Sequence, residues 1–227
     1  DASGRVAIEG FYDSVVPLQP WERSMWQSIP VDPQTLLRVA GAPEWGNEVG
    51  YTPYECVWGR PTAEANGIGG GYQGPGSKTV LPSEAFAKFT FRLVPDQDPE
   101  TILELVENHL RKHAPPSVEV QFTRGHGALP YVVDPHGPYG KAGQTALQKT
   151  FGGKPPVLVR EGGTIPILQT FKDALGVDVL LLGLALPDCN MHAPNETFPV
   201  EHLHLGAQLH QKLLEAIAGT GADAQLP

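Results

Sequence analysis

The spacing of apolar positions divides the chain into two halves with different rhythms. Residues Gly4 to Glu9 alternate in the manner of a strand. Between Pro20 and Val39 two short stretches, WERSMWQSI and PQTLLRVA, each open on a proline, a residue tolerated in the first helical turn, and predict two short helices. From Ala85 to Val94 aromatic or apolar residues alternate with polar ones (AFAKFTFRLV), which predicts a half-buried strand ended by Pro95-Asp96. Asp98-Pro99-Glu100 followed by TILELVENHLRKH places Ile102, Leu105, Val106 and Leu110 on one face. The acidic start and basic end of that segment match the helix dipole. Val118 to Phe122 alternates again. The first half therefore reads as strands flanked by helices, an α+β sandwich.

The second half predicts a helix from Pro138 to Phe151, a short apolar strand from Pro156 to Arg160, and a helix from Thr164 to Leu175. A buried strand from Val177 to Leu184 and a long amphipathic helix from Val200 to Ala218 follow. Such alternation points to an α/β layer with a parallel-type sheet, whose ligands gather beyond the carboxyl ends of the strands. The boundary falls in the loop region 125–138. Between the two early helices and the strand at Ala85, residues 41–76 are dense in Gly, Pro and Asn, which predicts a long loop or a strand pair with irregular backbone.

Composition adjusts this picture. The 227 residues contain 26 glycines and 23 prolines, and hydrophobic residues make up 41%. That is enough to bury a core and too little Gly and Pro for a low-complexity chain. The net charge of −9 argues against nucleic acid or an anionic membrane as the main partner. The longest apolar run, Val177 to Pro187, contains Asp178 and is about half of what a bilayer crossing needs. Cys56 and Cys189 lie far apart and form no CxxC pair, so both thiols are expected to be free and the compartment a reducing cytoplasm. The chain opens on a strand-like VAIEG without a methionine, as expected of a piece of a longer protein.

Five places offer chemistry. His192, in Met191-His192-Ala193-Pro194-Asn195-Glu196, follows the apolar strand, where α/β enzymes place ligands. It is a potential zinc ligand, or an ordinary loop histidine capping a helix, with Asn195 and Glu196 able to orient the ring or cap the helix. In Arg160-Glu161-Gly162-Gly163-Thr164 a Gly-Gly turn leads into a helix. Thr164 can cap that helix or donate to a carboxylate at its free N–H groups. Arg92, at the end of the Ala85 strand, can grip a carboxylate or remain merely solvated. His126 lies between Gly125 and Gly127, either for close approach of a ligand or in a flexible loop. Lys78 and Thr79 follow the Gly-rich stretch, but the GxxxxGK[ST] spacing of a P-loop is absent, so phosphate binding is not expected.

In order along the chain, NGIGGGYQGPGSKTVLPSEAFAKFTFRLVPDQDPE, RGHGALPYVVD, REGGTIPI and MHAPNE before a terminal helix resemble the M20 family of metallopeptidases, in particular its carnosinase-like dipeptidase branch. The resemblance covers nearly the whole chain, and KTVLP, FRLVP and REGGTIP are its specific segments. It implies a lid, or dimerisation, domain over residues 1–130 and the C-terminal part of a zinc-peptidase α/β catalytic domain over 131–227. It further implies that His192 is a metal ligand. Arg92, Gly163 and Thr164 would hold the substrate carboxylate, His126 would polarise the scissile carbonyl, and Thr79 would reach the partner subunit's site.

The chemistry so implied is amide hydrolysis of a small peptide by a water activated between two divalent ions, zinc or manganese, in a cytoplasmic homodimer joined through the lid. The family's HxD pair, its bridging aspartate and its Glu-Glu pair are all missing from the sequence. One histidine cannot hold two metals, so the chain alone is expected to be inactive. An N-acyl amino acid deacylase on the same scaffold and a non-catalytic dimerisation module are the alternatives.

Overall fold

The computed structural model describes residues 1–220 except 31, 161–164, 166 and 187. Seven helices and two strands are ordered α1 (Pro20–Gln27), α2 (Pro33–Ala40), α3 (Pro53–Gly59), β1 (Thr62–Gly70), β2 (Ala85–Arg92), α4 (Pro99–His113), α5 (Pro138–Thr150), α6 (Ile167–Leu175) and α7 (Val200–Thr220) among the described residues. The chain falls into two compact units. One comprises Asp1–Tyr131 with Val159–Gln169, the other Val132–Leu158 with Thr170–Pro227.

Local chemistry explains the helix starts in the first unit. Each of α1 to α4 carries proline in its first turn. Asp32 accepts the Gln34 N–H at 3.1 Å and Asp98 accepts the Thr101 N–H at 2.8 Å, so both act as N-caps. The Asp98 carboxyl is held below the usual carboxylate range by those hydrogen bonds from Thr101. Gly41, at φ 64, ends α2 in the left-handed conformation. The sequence pattern does not predict α3, which a reciprocal capping box starts. The Thr52 N–H donates to Glu55 Oε2 at 2.7 Å, and the Glu55 N–H donates to Thr52 Oγ1 at 3.3 Å.

The Gly-rich stretch 41–76 contributes α3 and one strand, β1, which pairs with the separately predicted strand β2; the two run antiparallel from Thr62 opposite Arg92 to Gly70 opposite Ala85. The register shifts between Ala65 and Gly67, leaving Asn66 as the extra residue of a bulge, where its side-chain amide donates to Thr90 Oγ1 at 3.0 Å. Gly69 has a structural reason: a Cβ there would stand 2.6 Å from the Phe86 ring.

The core of this unit forms beneath α4. Phe11, Ile102 and Val106 are buried together, with Val6, Ile8, Phe91, Leu93, Leu105, Leu110 and Phe122 packed around them. Val6 and Ile8 from the alternating segment 4–9 and Phe122 from 118–122 pack on this core, while Val118 is exposed. Neither segment joins a ladder among the described residues, where the sheet has two strands. Alternation reports which face is covered, whereas a strand is defined by a neighbour that accepts its backbone hydrogen bonds. Gln97 fixes the turn after β2: its amide donates to the Phe11 carbonyl at 2.8 Å and its oxygen accepts the Val94 N–H at 3.0 Å.

Charge is buried beside this core. Arg60 donates to both oxygens of Glu48, at 2.7 and 2.9 Å. Its guanidinium lies between the rings of Tyr12 and Tyr51, 4.8 and 4.6 Å from their centroids. Burial works against the Arg60 charge, but the Glu48 carboxylate outweighs it and holds the Arg60 pKa above its ordinary value.

In the second unit α5 packs on α7. The small residues Gly140, Ala142, Gly143 and Ala146 on α5 are all buried, which lets backbones approach. A Cβ at Gly143 would lie 3.4 Å from Leu182 and 3.5 Å from Leu180, and one at Gly206 of α7 would lie 3.0 Å from Leu184. The predicted buried strand 177–184 thus has only one covered side. Val177 and Leu181 are exposed, and the segment joins no ladder among the described residues. The short strand predicted at 156–160 is likewise without a ladder, with Val157 and Val159 exposed. The helix predicted to start at Thr164 begins at Ile167 among the described residues.

Removing the Glu48 carboxylate strands a guanidinium whose side chain is 10% exposed. Glu48→Ala should therefore cost about 3 kcal/mol in urea unfolding, and Glu48→Leu with Arg60→Met should recover most of that loss. Equal stability of Glu48→Ala and the unsubstituted protein would contradict this account of the pair.

Candidate functional site

The first unit contributes Arg92, His126 and Thr79. Arg92 is the last residue of β2, opposite Thr62, and its side chain is exposed. Among the described residues it makes no ion pair or side-chain hydrogen bond. Arg160 is the contrast. It donates to both oxygens of Glu22 at 2.6 and 2.8 Å, and Glu22 is 2% exposed. A guanidinium with its fork already filled is structural, while one left open at a strand end can take a carboxylate.

His126 is exposed, and the backbone on either side of it is differently constrained. Upstream, the extended segment is tied to α4 by charge. The Arg111 guanidinium donates to the Val120 carbonyl at 2.9 Å and to Glu107 at 2.8 and 3.0 Å. Arg124 reaches Glu100 and Glu107, each at 3.3 Å. The hydrogen bond from Arg111 holds the Glu107 carboxyl below its ordinary range, and Arg124 adds to the effect. Downstream, Gly127 lies so close to α4 that a Cβ would stand 2.6 Å from Pro99 Cβ, whereas Gly125 has open space around it. Two glycines that look equivalent in the sequence therefore differ: one is a contact, the other is not. The loop is anchored rather than free on the Gly127 side.

Thr79 is exposed in the segment between β1 and β2, near Lys78, whose ammonium lies 5.3 Å from the Tyr72 ring centroid. Gly163 and Thr164 lie outside the described residues.

The second unit contributes His192. It stands at φ 62, in the left-handed region that is uncommon for residues other than glycine. Asn190 at φ 54 and Asn195 at φ 62 share that conformation. The loop is closed on itself: the Thr197 N–H donates to the Cys189 carbonyl at 2.9 Å and the Ala193 N–H to the Asn190 carbonyl at 2.9 Å, with Cys189 buried at its base. The His192 side chain is exposed. Neither Asn195 nor Glu196 is bonded to it among the described residues, and α7 begins eight residues later, so the ring caps no helix. A strained residue persists only where its surroundings over-determine it, and such residues cluster at ligand sites.

Within the first unit no hydrogen bond or ion pair joins any two of Thr79, Arg92 and His126 among the described residues. Those residues also contain no group of three or more His, Cys, Asp or Glu placed to hold a metal ion. The residues present thus do not by themselves fit a two-metal centre. Both cysteines are free, and burial pushes the Cys56 thiol above its ordinary value, which makes it a poor nucleophile. No helix among the described residues is long and apolar enough to cross a membrane. The sequence pattern did not single out the Glu22–Arg160 tether. Its readable signal is Glu22 four residues before Trp26 on one face of α1, both of them buried.

Comparison with known proteins matches residues 22–118 to the M20 peptidase dimerisation domain. Over 92% of its length the chain is 32% identical to the Cys-Gly metallodipeptidase DUG1 of Candida albicans, of which it covers 45%. It is 26% identical over its whole length to the Beta-Ala-His dipeptidase of Rattus norvegicus, of which it covers 46%. Among solved structures, the M20 family metallo-carboxypeptidase Sso-CP2 of Sulfolobus solfataricus superposes with a TM-score of 0.80 at 30% identity, over 95% of this chain and 49% of that one. Human carnosine dipeptidase 1 gives 0.74 at 25% identity, over 96% of this chain and 47% of that one. The chain spans about half the length of the relatives it matches.

Gly127→Ala should force the 125–127 loop off Pro99 and lower stability by about 1–3 kcal/mol, the usual cost of overpacking. Gly125→Ala should be neutral. Thermal unfolding of the two variants side by side checks this, and a neutral Gly127→Ala would disprove the contact.

Proposed function

Because the chain belongs to the M20 family of metallopeptidases, we propose that it is part of a metal-dependent dipeptidase. Residues 1–130 form its lid, through which two copies dimerise, and residues 131–227 form a segment of its catalytic domain. The observation that carries this reading is that metallodipeptidases align with nine-tenths or more of the chain, across both halves. Support from the geometry comes from an open guanidinium at Arg92 and a strained, self-closed loop presenting His192.

In this proposal the substrate is a small peptide. The Arg92 fork takes its terminal carboxylate in a charge-assisted pair, with Gly163 and Thr164 as further contacts. His126, steadied by the contact of Gly127 on Pro99, donates a proton-bearing ring nitrogen toward the scissile carbonyl oxygen and stabilises the charge that develops there. Thr79 serves the partner subunit's site. His192 is the ligand this chain offers to a divalent ion, zinc or manganese, whose chemistry in such enzymes is to activate water and polarise a carbonyl. The compartment is the cytoplasm.

The test is hydrolysis of Cys-Gly and β-Ala-His by the full-length protein with added Zn²⁺ or Mn²⁺, alongside the 227-residue chain alone. Activity is expected in the former and none in the latter. Arg92→Ala should lower kcat/KM by about 10- to 100-fold, the worth of one charge-assisted contact, and Arg92→Lys should restore only part of it. His192→Ala should abolish turnover. Faster cleavage of an N-acyl amino acid than of either dipeptide would overturn the dipeptidase assignment in favour of a deacylase.

A further inference from the structure

Of the eight histidines in the sequence, only His109 and His113 stand four residues apart. Both lie in the last turns of α4, so their side chains share one face of the helix. Their ring centroids are 4.2 Å apart with the planes inclined by 34°. We propose that His109 and His113 form a surface site for one transition-metal ion of borderline softness, Zn²⁺, Ni²⁺ or Cu²⁺.

Three observations carry this. The first is reach. Two imidazole nitrogens bonded to one tetrahedral ion at about 2.0–2.1 Å are about 3.4 Å from each other, a separation of the same order as the 4.2 Å between these ring centroids. Two histidines at i and i+4 on a helix are also the spacing of known helical zinc sites. The second is orientation. His113 Nδ1 lies 2.8 Å from the His109 carbonyl oxygen. An oxygen there only accepts, so Nδ1 carries the proton and Nε2 keeps its lone pair. Metal-bound histidines are arranged in the same way, with the second nitrogen donating to a backbone carbonyl.

The third observation is electrostatic. The pair sits at the carboxyl end of α4, where the helix dipole favours a cation. The neighbouring cations point elsewhere: Arg111 is engaged by Glu107 and the Val120 carbonyl, and Lys112 lies 3.4 Å from Glu9.

Core packing does not account for the pair. The buried face of α4 is made by Ile102 and Val106 with Leu105 and Leu110 beside them, while His113 is exposed. With two protein ligands, water completes the coordination and the ion exchanges readily.

The site can be tested on untagged full-length protein carrying His192→Ala, compared with the same protein bearing His109→Gln or His113→Gln in addition. Cu²⁺ bound at one equivalent should show electron paramagnetic resonance coupling to two nitrogens in the parent and one in either variant. Affinity measured by calorimetry should fall at least tenfold on either substitution. Zn²⁺ should raise the unfolding temperature of the parent by more than that of either variant, whereas in EDTA the parent and the His113→Gln variant should unfold alike, since His113 is exposed. Unchanged coupling and affinity in both variants would overturn the site. Its failure leaves the dipeptidase reading untouched, because His109→Gln in the otherwise unsubstituted protein is expected to hydrolyse dipeptides normally.

Discussion

The disposal of buried carboxylate charge is the constraint on which the first unit depends. Glu22, Glu48 and Glu55 are 2, 7 and 1% exposed, and a carboxylate so buried is tolerated only with a partner. Glu22 is met by Arg160, Glu48 by Arg60 with Arg5 at 3.5 Å, and Glu55 by Arg23 at 3.7 Å. The arginines are also interleaved with tyrosines. Arg5 lies over Tyr12, Arg60 between Tyr12 and Tyr51, and Arg23 over Tyr51, a column of five side chains drawn from the N-terminal segment, α1 and the flanks of α3. The column ties together segments distant in sequence, and the Glu22–Arg160 pair brings residue 160 to α1 across 138 positions.

That column sets the surroundings of a second arrangement, in which α4 organises the apolar core. The helices of this half were legible in the sequence because their signals are local: a proline in the first turn, Asp32 and Asp98 as caps, and an apolar stripe at helical spacing. The signals for α3 were equally local, Thr52, Pro53 and Glu55, but seven residues ahead of a Gly-rich run show too little periodicity to stand out. For the extended segments at 4–9 and 118–122 the expectation rests on alternation, and for 177–184 on a continuous apolar run that predicts burial on both faces, where the structure covers one. Val6, Ile8 and Phe122 do pack on the core of α4, and Leu182 and Leu184 do approach α5 and α7. What alternation cannot encode is the identity of a hydrogen-bonding neighbour, because that neighbour is nonlocal.

The same division between local and nonlocal runs through the candidate site. Residue types and their order point to Arg92, His126 and His192, and nothing local separates Arg92 from Arg160, since both end an apolar or alternating run. The difference is Glu22, which fills one fork and leaves the other open. Likewise Gly125 and Gly127 are symmetric about His126, and only the position of Pro99 makes the second indispensable. A motif identifies a residue able to do chemistry; a contact made far away in sequence decides whether it is available.

His192 adds backbone conformation to that principle. Three residues between 190 and 195 are left-handed, Asn190, His192 and Asn195, and asparagine and histidine are both among the non-glycine residues that visit this region more often than most. The bonds that close the loop are made by the backbones of Cys189, Asn190, Ala193 and Thr197. The loop therefore closes without any contribution from the side chain at 192, whose ring stands exposed.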